Sequence, residues 1–483
     1  MNFSFEGGRV STSGGQRPSP DEPFRILVLG DFSGRASRGV CQLLKGRAPI
    51  GVTVDEIDDL PKRLGTLIHA GGADFDILEL DDLHPTELFR RHEVFAALRA
   101  LRGRLDNPST FDAAAAQVLS WKGEVASTAP DEAARTDQPA TDFEALLGGS
   151  KGASPSRRAS TVAELVRSLV SEFVVPAPDP RRDELVETVD RAIAAQMQRA
   201  LHDPAWQGVE ACWRSLEMLI QRLELGEELT LSVLDASRDE IAADLASENT
   251  SELVDLVVTR PTKTAGGKPW ALVVWLGSFE ATAADARLAA MLGALGLEGG
   301  CPVVAGAAPS LLGVADARAL KDASVIGPLG GAMAELWGEI VKLPGASALA
   351  LTAPRTLMRL PYGPKTDPVS GFAFDEASYV NGDHGAYLWG SSSVLVAIAL
   401  GQAFTEIGWR LDPSGAADID DLPVHVRTDG EMQPCAEAWL SDRVADALAQ
   451  RGLCPLLSVQ NRGAVRLAGI RSLAGGPLAA RWA

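Results

Sequence analysis

The sequence predicts an α/β (α+β) fold in two modules, mixed sheets with helices packed on them, joined by a flexible linker. Three observations carry that expectation. Short near-continuous apolar runs such as "ILVL" from Ile26 and "WALVVWL" from Trp270 have the texture of strands buried on both faces. These runs alternate with stretches of helical periodicity, as a sheet with helical covers requires. Between the two modules, "STAPDEAARTDQPATD" and "GGSKGASPSRRAS" are too polar to offset the entropy of ordering them.

Four segments follow. Residues 1–22 read as a disordered tail rich in Gly, Ser and Pro, with no apolar core of a signal peptide. Residues 23–111 form a first module. Ile26–Leu29 reads as a buried strand, "GVTVDEI" from Gly51 as a second, and "FDILEL" from Phe75 as a third with apolar side chains on both faces, hence interior. "LHPTELFRRHEVFAALRALRGRL" reads as one helix, with Pro85 at its first position and an apolar stripe of Val94, Leu98, Leu101 and Leu105. Residues 112–160 form the linker, with at most a short helix at "FEALLGG"; a flexible coil of that length holds its ends roughly 40 Å apart.

Residues 161–483 form the second module. Val186, Val189, Ile193, Met197 and Leu201 recur at helical spacing. Asp203 and Pro204 in "HDPAW" cap and start the next helix, whose inner face carries Val209, Trp213, Leu216, Ile220 and Leu223. "LTLSVLD", "LVDLVV", "WALVVWL" and "CPVVAGA" read as strands. "SRDEIAADL", "DARLAAMLGAL", the stretch from Ser391 to Glu406 and "SDRVADALAQ" read as helices. "VHVRT" and short runs near the end complete the strands.

Composition narrows the function. With 45 Lys+Arg against 64 Asp+Glu, the net charge of −19 disfavours nucleic acid and anionic lipid as partners. No apolar stretch is long enough to span a bilayer, so a cytoplasmic location is expected. The five cysteines (41, 212, 301, 435 and 454) are scattered, without a CxxC pair, and read as reduced thiols.

The motifs that could carry chemistry fail on their spacing. "LGDFSGR" suggests a phosphate turn, but Gly30 and Gly34 fit neither G-x-x-x-x-G-K-[ST] nor G-x-G-x-x-G, and Asp31 would repel a phosphate. "GGSKG" at 148 follows no strand. His84 and His92 stand too far apart for a shared metal; His202 beside Asp203 reads as a helix break; His384 lies in a turn-rich loop. Asp58-Asp59, Asp81-Asp82 and Asp420-Asp421 lack the spacing of a calcium loop. No catalytic, cofactor-binding or metal-ligating residue is therefore expected, and no cofactor. The chain reads as a structural protein, not an enzyme.

"PFRILVLGDFSGR", "VTVDEIDDLPKRLG" and "ILELDDLHPTELFRRHEVFAALRALRGRL" together resemble the small subunit of type VI secretion contractile sheaths (the VipA/TssB type), with His84 where a serine cap would be usual. "LHDPAWQGVEACWRSLEMLI", "APRTLMRLPYGPKTDPVSGFAFDE", "YLWGSSSVLVAIALGQAFTEIGW" and "RGLCPLLSVQNRGAVRLAGIRSLAGG" resemble the large subunit (the VipB/TssC type). The resemblance implies a fusion of the two subunits, with the second module lacking the usual C-terminal extension. It implies a self-assembling homo-oligomer in a closed or short non-contractile form. The alternatives are a contractile sheath around an inner tube, or a monomeric or dimeric adaptor to a baseplate. An inner tube, a baseplate and a disassembling AAA+ ATPase are the partners it suggests, the last near "STVAELVRSLVSEFV".

Overall fold

A computed structural model describes residues 17–126, 179–247, 251–321, 326, 329–380, 383–427 and 429–483. The described residues divide into two compact units. The first holds 17–83, 200–362 and 375–483, and the second 84–126, 179–199 and 363–374.

The first unit is built on a nine-stranded mixed sheet. Its strands are β1 (Phe24–Gly30), β2 (Ile50–Val52), β5 (Leu229–Asp235), β6 (Leu272–Phe279), β7 (Val303–Ala307), β8 (Leu349–Ala353), β11 (Ala417–Ile419), β14 (Leu453–Ser458) and β15 (Val465–Leu467). Their order is β11-β15-β14-β8-β7-β6-β1-β5-β2, while β9 (Thr356–Leu357) with β10 (Trp389–Gly390) and β12 (His425–Val426) with β13 (Met432–Gln433) form separate two-stranded ribbons. The six from β14 to β5 run parallel, and β2, β15 and β11 are antiparallel to their neighbours. Strand β1 is thus interior. Phe24 pairs with Leu229 on one side and Ile26 with Leu272 on the other, so the front of the chain supplies a central strand to a sheet whose other long strands come from 229 onward.

Alternation along the strands fills both faces. Leu27, Leu29, Val273, Trp275, Val303 and Leu351 belong to one core, and the alternate Ile26, Val28, Val274 and Val304 are fully buried as well. The helices of this unit include α5 (Pro204–Arg222), α6 (Arg238–Leu245), α7 (Ala283–Gly299), α8 (Gly331–Lys342), α9 (Ser393–Ile407) and α10 (Asp442–Gln450). Helix α7 packs on β6, β7 and β8, and α9 on β1, β6 and β7. Asp203 caps α5 by accepting from Ala205 N, with Pro204 in its first turn, and Gly452 at φ +76° follows α10. Strand β8 and helix α8 had no counterpart in the sequence reading.

Two expectations for this unit are corrected. "FDILEL" is not an interior strand. Residues 73–76 form β4 (Ala73–Asp76), paired only with β3 (Leu67–Ala70) in a two-stranded ribbon. Phe75 and Ile77 are buried, but Asp74 and Asp76 face outward, and the chain turns into a 3₁₀ helix at Leu80. "LVDLVV" is not a strand either. It is helical, Glu252–Val254 leading into a π turn at Asp255–Thr259 and a last turn at Arg260–Lys263. Ser251 Oγ accepts from Val254 N, and Asp244 accepts from Glu252 and Leu253 N, so the start is capped twice. A short apolar run does not by itself distinguish a buried strand from a buried helix.

The second unit is helical: α1 (Pro85–Arg91), α2 (Ala96–Asp106), α3 (Phe111–Ala126) and α4 (Arg182–Leu201), whose last residues pass into the first unit. The single helix expected over 83–105 is broken at His92, whose ψ of 139° is extended. Leu98, Leu101 and Leu105 are buried as expected, with Phe95 rather than Val94 completing the face. His84 does serve as the cap: its Nδ1 accepts from Thr86 N at 3.1 Å. Helix α3 occupies the head of the expected linker, because the alanine run of "FDAAAAQVL" favours a helix over coil. The rest of that linker, with "FEALLGG" and "GGSKG", lies outside the described residues, as does "STVAELVRSLVSEFV" at the start of the second module.

Candidate functional site

The turn after β1 is where the front of the chain is fastened into the sheet. Gly34 takes φ +72°, and a Cβ there would stand 2.5 Å from Leu67 O, so only glycine fits. Asp31 folds back to accept from Arg35 N at 2.7 Å and Ala36 N at 2.8 Å. The amides of Phe32 and Ser33 donate to Asp235 Oδ1 at 2.9 and 3.0 Å, and Ser33 Oγ donates to Asp235 Oδ2 at 2.7 Å. Asp235 is the last residue of β5, so adjacent parallel strands end in one shared knot. Phe32 O accepts from Trp213 Nε1 at 2.9 Å and from Thr66 Oγ1 at 3.1 Å. The amides that a phosphate would need are thus bound to a carboxylate of the chain itself.

Beside this knot lies Glu240, fully buried, in the first turn of α6. Ser237 and Glu240 close a capping box there. Arg35 Nε donates to both carboxylate oxygens, at 2.8 and 3.0 Å; Arg47 NH1 and NH2 donate at 2.9 and 2.8 Å, and Gln42 N at 2.8 Å. Burial pushes this carboxyl up, but the bonds from Arg47, Gln42, Ser237 and Arg35 outweigh it and hold it at about 2. Asp235 goes the other way, raised by burial despite the bonds from Ser33. Cys212, close to Gly30, is pushed up to about 12 by burial, so its thiol stays protonated.

A second buried network joins α5 to the segment after β8. Arg359 Nε donates to Glu210 Oε1 at 2.7 Å and its NH1 to Glu376 Oε2 at 2.8 Å. Trp206 Nε1 donates to Glu210 Oε2 at 2.9 Å, Tyr362 N to Glu376 Oε2 at 2.8 Å, and His202 Nε2 meets Glu376 Oε1 at 3.0 Å. Burial raises the Glu376 carboxyl, and Arg359, His202 and Tyr362 N overcome it to hold it at about 2.

The other residues weighed from the sequence take separate structural places. Asp203 caps α5 and also accepts from Gly71 N at 2.9 Å. His384 Nε2 meets Glu437 Oε1 at 3.2 Å, with its ring 4.9 Å from that of Trp389. Asp82 accepts from the amides of Leu78 and Glu79. Asp420 Oδ1 accepts from Arg462. Asp58 and Asp59 are exposed. Among the described residues no group of three or more His, Cys, Asp and Glu is placed to hold a metal ion. Nor is any helix there long and apolar enough to cross a membrane. Sequence reasoning missed Asp235, Glu240, Glu210, Arg359 and Glu376. Only Glu240 carried a local signal, the Ser-x-x-Glu spacing of the capping box.

The sequence profile of the family described as "VipB: EvpB/VC_A0108, tail sheath N-terminal domain" matches residues 183–474, well over half of the chain. The chain belongs to that family. It is also similar to the type VI secretion system sheath protein TssC1 of Pseudomonas aeruginosa, 26% identical over 304 residues, which cover 60% of this chain and 61% of the relative. It therefore spans about three fifths of the length of that curated relative. The tail sheath match begins at residue 183, so β1, its turn, Arg35 and Arg47 all lie outside it. The sheath domain's own Asp235 and Glu240 are the groups that hold them.

Proposed function

We propose that this chain is a self-assembling structural protein of a type VI secretion sheath or a sheath-like body, and that it carries both sheath subunits in one polypeptide. Residues 23–111 take the place of the small subunit and 161–483 that of the large one. One observation carries this reading. A strand with the small-subunit signature, outside the matched tail sheath domain, is an interior strand of that domain's sheet. Two partner proteins that must meet one to one gain from such a fusion, because the linker makes their encounter intramolecular.

The buried ionisable groups favour an architectural role over catalysis. Asp235, Glu240, Glu210 and Glu376 each accept bonds from groups of this same chain. The partners expected are further copies of the chain, with an inner tube, a baseplate and a disassembling ATPase as later tests.

The test is light scattering of the purified chain over a range of concentrations, followed by negative-stain electron microscopy. Oligomers growing with concentration are expected. Closed rings or short stacks would mark a non-contractile body, and long tubes that shorten a contractile one. A monomer at every concentration would overturn the assembly reading in favour of an adaptor.

A further inference from the structure

At the end of the sheet where β1, β5 and β6 begin, a cleft of about 970 Å³ opens between the approach to β1, the loop before β6 and residues near the end of the chain. Arg17, Arg25, Lys263, Lys268 and Arg481 line it, against Glu22 and Glu298. In a chain of net charge −19 this is a local reversal of sign. Several of these cations lack a compensating carboxylate. Lys263 and Lys268 are exposed and form no ion pair among the described residues. Arg25 lies over the Trp270 ring at 3.9 Å and donates to the Lys268 carbonyl, so it too keeps its charge uncompensated. Arg481 pairs with Glu22, yet its Nε, on a side chain more than nine-tenths buried, has no partner among the described residues.

The complementary surface lies at the same end of the same sheet. Val52 pairs with Leu231 near the start of β5, so the chain leaves β2 at this end into "TVDEIDD". Asp55, Glu56, Asp58 and Asp59 are exposed there, beside Val54 at 63% exposure. None of these four carboxylates forms an ion pair among the described residues, although Lys62 and Arg63 follow on the next turn.

We infer that the cleft of one copy receives the acidic ridge 54–59 of a second copy, giving the assembly a charged contact separate from the sheet itself. The occupant is a carboxylate-bearing segment of this chain, because one sheet end carries both signs side by side. Two copies meeting end to end therefore set each sign against its opposite. Such a contact sets register and association rate and weakens with salt. The inference rests on the self-assembly reading above.

Charge exchange separates the two. Lys263→Glu with Lys268→Glu makes one variant, and Asp55→Lys, Asp58→Lys with Asp59→Lys the other. All five side chains are exposed, and circular dichroism verifies the fold. Each variant alone is expected to raise the concentration for half-assembly at least about tenfold, and mixing the two restores assembly because each cleft then meets a ridge of opposite sign. Raising salt from about 50 to about 500 mM should weaken the wild-type contact in the same sense. Assembly of both variants like the wild type, or loss in each without rescue in the mixture, overturns the contact and leaves self-assembly standing. A wild-type chain that never leaves the monomer overturns both.

Discussion

Arg35 Nε donates to both oxygens of the Glu240 carboxylate, at 2.8 and 3.0 Å, across 205 residues of sequence. Replacing Glu240 by Gln strands Arg35 and Arg47 in a partly buried site and leaves the Gln42 amide with a weaker acceptor. Removing one partner of such a pair costs about 3 kcal/mol, far more than an exposed pair is worth. The midpoint of urea unfolding should fall accordingly, and a shift no larger than that of an exposed ion pair would refute the fastening role.

The acid limb of stability follows from the same carboxylate. Glu240 and Glu376 are both held at about 2, below the range of an ordinary glutamate. A carboxyl lowered by folding stabilises fully above its unfolded pKa and loses that contribution as pH falls through the folded one. Wild-type stability should therefore decline from about pH 4.5 towards pH 2, with a shallower slope in Glu240→Gln. Unfolding free energies measured along that interval decide it.

Arg359→Met removes the cation between two fully buried carboxylates, Glu210 and Glu376. The expected loss at neutral pH is about 3 to 5 kcal/mol. Here the sign reverses: without Arg359, burial acts on Glu376 with less opposition, so its carboxyl titrates higher than in the unfolded chain. The deficit against wild type should shrink as pH is lowered from 7 to about 5. Combining the variant with Glu210→Gln should cost less than the sum of the two changes, because they share a partner.

Gly34 and Gly46 both lie in the left-handed region, at φ +72° and +82°, but a side chain at Gly46 would meet open space. Gly46→Ala should cost about 1 kcal/mol from the backbone alone, whereas Gly34→Ala adds a collision with Leu67 O and should exceed about 2 kcal/mol. Thermal unfolding of the two variants separates the contributions.

The place of β1 makes a prediction about the halves. Residues 179–483 expressed alone should be insoluble, since β5 and β6 would each lose a strand of backbone partners. Co-expression with 1–126 should recover a soluble complex. A stable, monodisperse 179–483 would show that the sheet closes without β1.

How much of this was legible in the sequence depended on range. β1, β6 and β7 were readable because a strand buried on both faces is apolar along most of its length, and β5 because Leu229, Leu231 and Val233 alternate with Thr230 and Ser232. The cap of α5 was readable because Asp203 and Pro204 act within one turn. What escaped was set at a distance: nothing near Asp31 announces that its neighbours' amides go to Asp235, or that Arg35 reaches Glu240. The run at Leu253–Val258 went astray differently. Its composition suits either element, and the capping groups Ser251 and Asp244 decided the matter from outside it. At β4 the alternating Asp74 and Asp76 outweighed the hydrophobic side chains further on.

The central position of β1 also has a cost in time. It leaves the ribosome well before its partner β5, which is made about 200 residues later, roughly 10 to 40 s at ordinary rates of synthesis. Throughout that interval "FRILVLG" has no sheet to join. A strand-prone heptapeptide left unpaired for that long is open to pairing with other nascent chains, a hazard that grows with the separation between the two strands.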